Sequence, residues 1–389
     1  MDPLLLIAVC LCGTFIFGEI AEKIKLPRLI GYLFTGMLFS LGTISSNFSQ
    51  DNLQLISFMG EIGIIFLLLM AGIETKLKID KKMHFIPIAV SSAILPILLG
   101  YVILKLLGYS DFVSFILGVC LAISSEVNIA ALDELKLLKT DFGKTMVAAT
   151  NLDDIFAITV MGVMVLISKN SASGLFLELT KNVNQIITFP IASLIIFVLI
   201  IAFYELIKLL MIKLNASKSS SFSSTIILTL IISLIARNIG IGTVFGAYIA
   251  GLWINNAHKG NENFIVENIS ILNQGLFFPL LFVSIGLDFS GRALIANPIT
   301  TTAIFLAATI GKMAGPLLTK KLNNYSYEEL ITMGVGLNSR GVMELVLANM
   351  AYGGGLIPTE IYSAVVFVAI TTTFIFTPIF CWKAKKLLM

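Results

Sequence analysis

Apolar stretches of about twenty residues recur along this chain, and an α-helix needs that length to cross the hydrocarbon core of a bilayer. Hydrophobic residues make up 57% of the 389 residues and charged residues 13%, whereas soluble domains average about 25% charged residues. Because every backbone polar group in lipid must be hydrogen-bonded within the protein, these stretches are predicted to be helices. We therefore predict an all-α polytopic membrane protein, with one transmembrane unit over residues 1–389.

The apolar stretches predict about thirteen membrane-spanning helices. Thirteen helices divide as six, a linker helix and six, so that the two halves cross the membrane in opposite senses as an inverted repeat. The predicted helices are 3–22, 27–43, 52–74, 84–107, 112–135, 142–168, 183–212 (the linker), 221–237, 241–257, 263–287, 295–318, 326–352 and 358–382.

Basic residues are distributed unevenly over the predicted loops. If the N-terminus lies outside, the cytoplasmic loops and the C-terminal tail contain nineteen of the 26 lysines and arginines. The opposite side contains only Lys105, Lys169, Lys181, Arg237 and Arg292. The positive-inside rule therefore predicts a multi-pass protein of the cell membrane with an outside N-terminus and a cytoplasmic C-terminus.

Two adjacent carboxylates, Asp153 and Asp154, lie within the apolar stretch 142–168. A charge at bilayer depth costs from about 3 to more than 10 kcal/mol, and neighbouring carboxylates also repel each other. Successive helical residues point about 100° apart, so we expect one carboxylate to face a water-filled cavity and the other a neighbouring helix. The alternative is a buried pair that only holds helices together.

A cavity-facing carboxylate can bind a dehydrated monovalent cation, with further oxygen ligands from Thr150, Asn151 and backbone carbonyls. Partial desolvation disfavours the charged carboxylate, so protons and cations can compete for one site. Such competition is what an antiporter requires, because its site then moves loaded with either the proton or the cation.

One lysine, Lys312, lies inside the predicted helix 295–318, six residues before that stretch ends at Leu318. It is the natural partner of one aspartate, because a nearby carboxylate favours the charged form of a buried lysine. A cation that reaches the acids could release Lys312, which would then lose its proton and act as a second proton carrier. The alternative is a permanent structural salt bridge.

The fifth and twelfth predicted helices contain polar interruptions at corresponding positions of the two halves, in 123–128 and 337–341. Such interruptions are typical of discontinuous helices, whose free backbone groups and dipole ends bind ions, so we predict two crossed discontinuous helices. The alternative is that these polar residues only bond neighbouring helices. The supporting-site candidates in these segments are Ser124, Ser125, Glu126, Asn338, Ser339, Arg340 and Glu344.

Arg340 and Glu344 are spaced i and i+4, so they can pair along one helix face. Pairing of Arg340 with Glu126 or Glu344 would offset the cost of burial and connect the two discontinuous helices. These three residues either hold the discontinuous helices together or take part directly in transport.

Ordered motifs along nearly the whole chain resemble those of the monovalent cation:proton antiporters. The resemblance is to the branch that includes bacterial sodium/proton antiporters, glutathione-gated potassium efflux proteins, spore-germination antiporters and plant cation/proton exchangers. The matching motifs are LPRLIGYLFTGMLFS (26–40), GIIFLLLMAGIET (63–75), ISSEV (123–127), ATNLDDIFAI (149–158), FFPLLFVSIGLDFS (277–290), Lys312 in its helix, LNSRGVMELVLANM (337–350) and TTTFIFTPIF (371–380).

The resemblance implies a homodimer of 13-helix chains with elevator-type alternating access. A dimerisation scaffold would comprise about 1–80 and 215–290, and a mobile core about 84–168 and 295–385, in the pattern known for this family. By position, Asp154 matches the cation- and proton-binding aspartate, and Asp153 matches the acid that pairs with the lysine, here Lys312. The paired acids at 153–154, in place of an Asn–Asp pair, are similar to those of the electrogenic members of the family, so the resemblance implies electrogenic exchange. The family usually has Thr at the position of Glu126. The glutamate could bind a proton, pair with Arg340 or alter ion preference.

Our leading hypothesis is secondary antiport of Na⁺ or K⁺ against H⁺, with the monovalent cation held at Asp154 and Asp153 and with no cofactor. The expected partners are the cation, the proton, membrane lipid and a second copy of the chain, but no nucleic acid. The alternatives are a sodium-coupled symporter of an organic solute and a potassium efflux transporter or channel. An enzyme is not expected, because the sequence contains no evident nucleophile–base set, metal-ligand spacing or phosphate-binding loop.

Overall fold

The computed structural model describes residues 2–24, 26–40, 49–74, 85–124, 127–168, 218–239, 242–255 and 262–387. All regular elements within these residues are helices. Among them, eight helices are long and apolar enough to cross a membrane, or nine if one bent pair counts as a single span. The all-helical membrane fold is therefore confirmed. The count of thirteen and the inverted repeat stay predictions, and the predicted linker helix 183–212 lies outside the described residues.

The helices lie close to the predicted ranges. They are α1 Pro3–Lys23, α2 Arg28–Phe39, α3 Gln50–Glu74, α4 Phe85–Leu106, α5 Asp111–Leu121, α6 Val127–Glu134, α7 Asp141–Ser168, α8 Lys218–Ile239, α9 Thr243–Asn255, α10 Glu262–Leu272, α11 Phe278–Leu287, α12 Gly291–Ala296, α13 Pro298–Leu318, α14 Tyr327–Asn338, α15 Val342–Gly353 and α16 Thr359–Lys386.

Both predicted interruptions are present. The predicted helix 112–135 is divided into α5 and α6, with a break between Leu121 and Val127. The predicted helix 326–352 is divided into α14 and α15, which are bent by 45° across a short break. Each break removes backbone groups from the regular helical ladder, and these groups need other partners.

Two local features differ from the predicted helices. A π-helical turn, Asn273–Phe277, joins α10 to α11, and the buried side chain of Asn273 donates a hydrogen bond to the Gly63 carbonyl at 3.2 Å. The short helix α12 precedes α13, where one helix from residue 295 was expected. Pro298 explains this break, because proline disfavours the helical conformation of Asn297 and has no N–H to continue the ladder.

Contacts divide the described residues into two units. Unit 1 comprises the described residues within Met1–Phe17, Gly31–Lys78 and Gly162–Leu287. In this unit α3 and α9 approach closely at Gly72 and Gly251, where a Cβ added to Gly72 would lie 2.8 Å from the Gly251 Cα. Small residues of this kind let membrane helices pack backbone against backbone.

Unit 2 comprises the described residues within Gly18–Ile30, Ile79–Met161 and Asp288–Met389. Its helices α4 and α13 pack closely, because a Cβ added to Gly311 would lie 2.8 Å from the Pro96 Cα. Ser91 of α4 also donates a hydrogen bond to the Gly315 carbonyl at 2.8 Å. This unit contains all the candidate site residues that the structure describes. The scaffold and core roles assigned to the two parts of the chain stay predictions.

Candidate functional site

Helix α7 carries both carboxylates of the predicted acidic pair into the interior of unit 2. Asp153 is 1% exposed and Asp154 is 8% exposed, so neither carboxylate lies open to solvent in this structure. Thr150, one turn earlier, is also buried, whereas the side chain of Asn151 is exposed. Three of the four polar residues in the ATNLDD segment are therefore withdrawn from solvent together.

Lys312 of α13 forms the buried ion pair that the sequence predicts. Its Nζ lies 2.6 Å from Asp153 Oδ2, and the two side chains are 0% and 1% exposed. The close packing of Gly311 and Gly315 on α4 brings this part of α13 deep into the unit. A buried pair of this kind is costly to break, since removal of one partner leaves an uncompensated charge and typically costs about 3–5 kcal/mol.

Ser124, in the break between α5 and α6, contacts both members of this ion pair. Its hydroxyl donates a hydrogen bond to Asp153 Oδ2 at 2.8 Å and accepts one from Lys312 Nζ at 2.8 Å. The side chain is 2% exposed. The first interruption therefore lies directly at the ion pair. Two further candidates in this interruption, Ser125 and Glu126, lie outside the described residues.

Arg340, in the second interruption, forms the predicted pair with Glu344. Arg340 Nη1 lies 2.6 Å from Glu344 Oε1, and both side chains are fully buried. The guanidinium also donates to the carbonyl of Leu121, the last residue of α5, at 2.9 Å. The final carbonyls of a helix lack intrahelical partners and carry partial negative charge, which a guanidinium satisfies well. The two interruptions therefore meet at Arg340.

Two further groups fix Arg340, and neither could be identified from the sequence. Its guanidinium donates to the Ala308 carbonyl of α13 at 3.4 Å, and the Thr373 hydroxyl of α16 donates to the Arg340 carbonyl. A backbone carbonyl accepts in the same way whatever the residue type, so no sequence signal identifies it. Thr373 lies in the TTTFIFTPIF motif, whose resemblance to the family does not indicate this contact.

Asn338 and Ser339 are both fully buried at the end of α14. The Ser339 hydroxyl donates to the Gly336 carbonyl at 3.1 Å and so helps to end the helix. Neither amide atom of Asn338 makes a hydrogen bond within the described part of the chain. A fully buried amide of this kind is unusual, because almost all buried polar side chains have partners.

The chain matches the family described as sodium/hydrogen exchanger, transmembrane, over residues 6–383. It is 27% identical to a Na⁺/H⁺ antiporter of Enterococcus hirae, with 99% of each chain covered. It is 26% identical to the Na⁺/H⁺-K⁺ antiporter GerN of Bacillus cereus, with 96% of this chain and 94% of GerN covered. It is 25% identical to cation/H⁺ antiporter 15 of Arabidopsis thaliana and spans 46% of that longer protein.

The fold is similar to that of the sodium proton antiporter MjNhaP1 from Methanocaldococcus jannaschii, whose structure was determined at pH 8. The TM-score is 0.64 at 18% sequence identity, with 100% of this chain and 96% of MjNhaP1 covered. At this identity the likeness concerns the fold alone.

Proposed function

The chain belongs to the sodium/hydrogen exchanger family, and on that premise we propose that it is a secondary antiporter of Na⁺ or K⁺ against H⁺. The observation that carries the proposal is the buried Asp153–Lys312 pair, beside a second carboxylate and at a helix interruption. Acids and a base buried together at membrane depth are expensive, and they mark ion and proton pathways.

Asp154 is proposed as the site that the proton and the cation share. Its burial penalises a bare carboxylate, so occupation by a proton or by a dehydrated cation is favoured over an empty charged site. Oxygen donors replace the hydration shell of an alkali cation. Thr150 and Asn338 are buried side chains that fit this role, and residues 122–124 and 339–341, at the described parts of the two breaks, supply backbone carbonyls.

Asp153 and Lys312 are proposed as a switching ion pair. A cation that binds between the carboxylates competes with the ammonium for Asp153, and the released lysine gives up a proton. Two protons would then move against one cation, so exchange would be electrogenic. We further propose that the chain functions as a homodimer in the cell membrane, and that the part carrying the site moves to give alternating access.

Na⁺ and K⁺ are both candidates for the transported ion. The Enterococcus relative is named for Na⁺ alone, and GerN is named for Na⁺ and K⁺. Both ions take oxygen ligands, so the residue types at the site fit either one.

The test is exchange by purified protein in liposomes that contain a pH-sensitive dye. Addition of Na⁺ or K⁺ is expected to move protons in the opposite direction, and Asp154→Asn is expected to abolish this movement. Asp141→Asn, at the start of the same helix, is the matched control and should exchange like the wild type. Undiminished exchange by Asp154→Asn would refute the assignment of the site. Solute uptake coupled to Na⁺ without proton movement would favour a symporter instead.

A further inference from the structure

The three atoms Ser124 Oγ, Lys312 Nζ and Asp153 Oδ2 form a closed triangle of hydrogen bonds. The distances are 2.8 Å from serine to aspartate, 2.8 Å from lysine to serine and 2.6 Å from lysine to aspartate. Each side chain is at most 2% exposed. The single donor of the hydroxyl is used on the carboxylate, and one acceptor position is used on the ammonium. Ser124 therefore binds the ion pair as a unit rather than one member alone.

Lys312 has a second carboxylate within electrostatic range. It forms its ion pair with Asp153 and also interacts electrostatically with Asp154, the next residue of α7. An ammonium on a flexible four-carbon stem does not by its own geometry select one of two neighbouring carboxylates. The Ser124 hydroxyl adds a contact to both groups at Asp153, which favours that carboxylate over Asp154 as the partner of the ammonium.

The position of Ser124 is itself fixed. The residue follows the end of α5 by three positions, and Arg340 holds that end through its hydrogen bond to the Leu121 carbonyl. Arg340 is in turn anchored by Glu344 and by the Ala308 carbonyl of α13, the helix that carries Lys312. On its N-terminal side, the serine is therefore connected to a helix end that Arg340 anchors.

We propose that Ser124 is a positioning residue that stabilises Lys312 on Asp153 and so sets how readily the transported cation displaces the lysine from that carboxylate. This inference rests on the proposed antiport at Asp154 and adds a residue that sets cation affinity. It makes the break between α5 and α6 a determinant of affinity through the lysine, not through direct contact with the ion.

The test is the apparent KM and the maximal rate of exchange in proteoliposomes, using Na⁺ and K⁺ in turn. Ser124→Ala is expected to lower the apparent KM by about tenfold, the order expected for loss of a charge-assisted hydrogen bond that opposes release of the lysine, with a smaller effect on the maximal rate. Ser124→Thr keeps the hydroxyl and should stay near the wild-type KM. Ser114→Ala is the matched control, because the hydroxyl of Ser114 in α5 donates to the Ser110 carbonyl and, among the described residues, has no bond to the ion pair.

A double-mutant cycle with Asp153→Asn separates positioning from direct ligation. Without the Asp153 carboxylate the serine has no ion pair to hold, so Ser124→Ala should then change cation affinity little. If the serine instead binds the cation directly, Ser124→Ala would raise the apparent KM equally in both backgrounds, and that result would overturn the inference. Cation-dependent thermal stabilisation in detergent gives the same comparison without turnover, since a ligand that binds the folded state raises its stability.

The outcomes distinguish this inference from the proposed function. Wild-type protein with neither exchange nor cation-dependent stabilisation would contradict the antiporter proposal itself. An active wild type with an unchanged KM in Ser124→Ala would overturn the role of Ser124 and leave antiport intact. If Ser124→Ala does not fold, Ser124→Cys replaces it, because the weaker hydrogen bonds of a thiol should lower the KM by a smaller factor.

Discussion

Removal of the positive charge of Lys312 should destabilise the protein strongly, and removal of the negative charge of Asp153 as well should restore much of the loss. The two side chains are 0% and 1% exposed and lie 2.6 Å apart, so Lys312→Met leaves a carboxylate buried without its counter-charge. Breaking a buried pair in this way costs about 3–5 kcal/mol. Replacing both partners by neutral residues of similar volume is often close to neutral. The double variant Lys312→Met with Asp153→Asn is therefore expected to be more stable than Lys312→Met alone.

The free energy of unfolding in mixed detergent micelles is the measurement. The control is Lys105→Met, which removes one partner of an exposed pair between Lys105 and Asp111 at 3.0 Å. Exposed pairs contribute about 0–1 kcal/mol, so this control should stay close to the wild type. Two results would refute the reasoning: a Lys312→Met variant within about 1 kcal/mol of the wild type, or a double variant at least as unstable as Lys312→Met alone.

The remaining predictions concern the second interruption and the packing of unit 1. Arg340→Gln should lower the free energy of unfolding by about 3 kcal/mol or more, because it leaves Glu344 buried without its counter-charge and removes the donor to the Leu121 carbonyl. Unfolding in micelles measures this loss, and a free energy near that of the wild type would contradict the role of Arg340. Thr373→Val should cost about 1–3 kcal/mol by leaving the Arg340 carbonyl without its hydroxyl donor, with wild-type stability as the opposing result. Gly72→Ala should cost about 1–3 kcal/mol because the new methyl group meets the Gly251 backbone, whereas Gly275→Ala, which has open space, is the control that should change little. Equal stability of the two glycine variants would show that the α3–α9 contact can relax.

Much of the helical framework follows from hydropathy alone, because the bilayer sets the length of each span. Helix α7 begins one residue before its predicted start and ends where predicted, and both polar interruptions lie where helices break. Because buried charges require partners, the sequence predicts that Lys312 pairs with one of the two aspartates and Arg340 with Glu126 or Glu344. The family resemblance implies Asp153 for Lys312, and the structure shows the pairs Asp153–Lys312 and Arg340–Glu344.

Contacts to the backbone could not be predicted in this way. The carbonyls of Leu121 and Ala308 accept hydrogen bonds from Arg340 because of how the helices pack around it. The residue types at these two positions do not indicate that packing. The π turn at 273–277 could not be predicted either, because a single extra residue in a helical turn leaves the hydrophobic pattern almost unchanged. The sequence indicates Ser124 as a candidate, but its contact with both members of the ion pair depends on how α7, α13 and the first break are arranged in three dimensions.

The most direct test of the shared site is the dependence of the apparent KM for the cation on pH, measured in proteoliposomes at a clamped membrane potential. If protons and cations compete for Asp154, the apparent KM should rise steadily as the pH is lowered, while saturating cation restores the same maximal rate. An apparent KM that does not change with pH, while the maximal rate falls, would show that protons act away from the cation site and would contradict competition at Asp154.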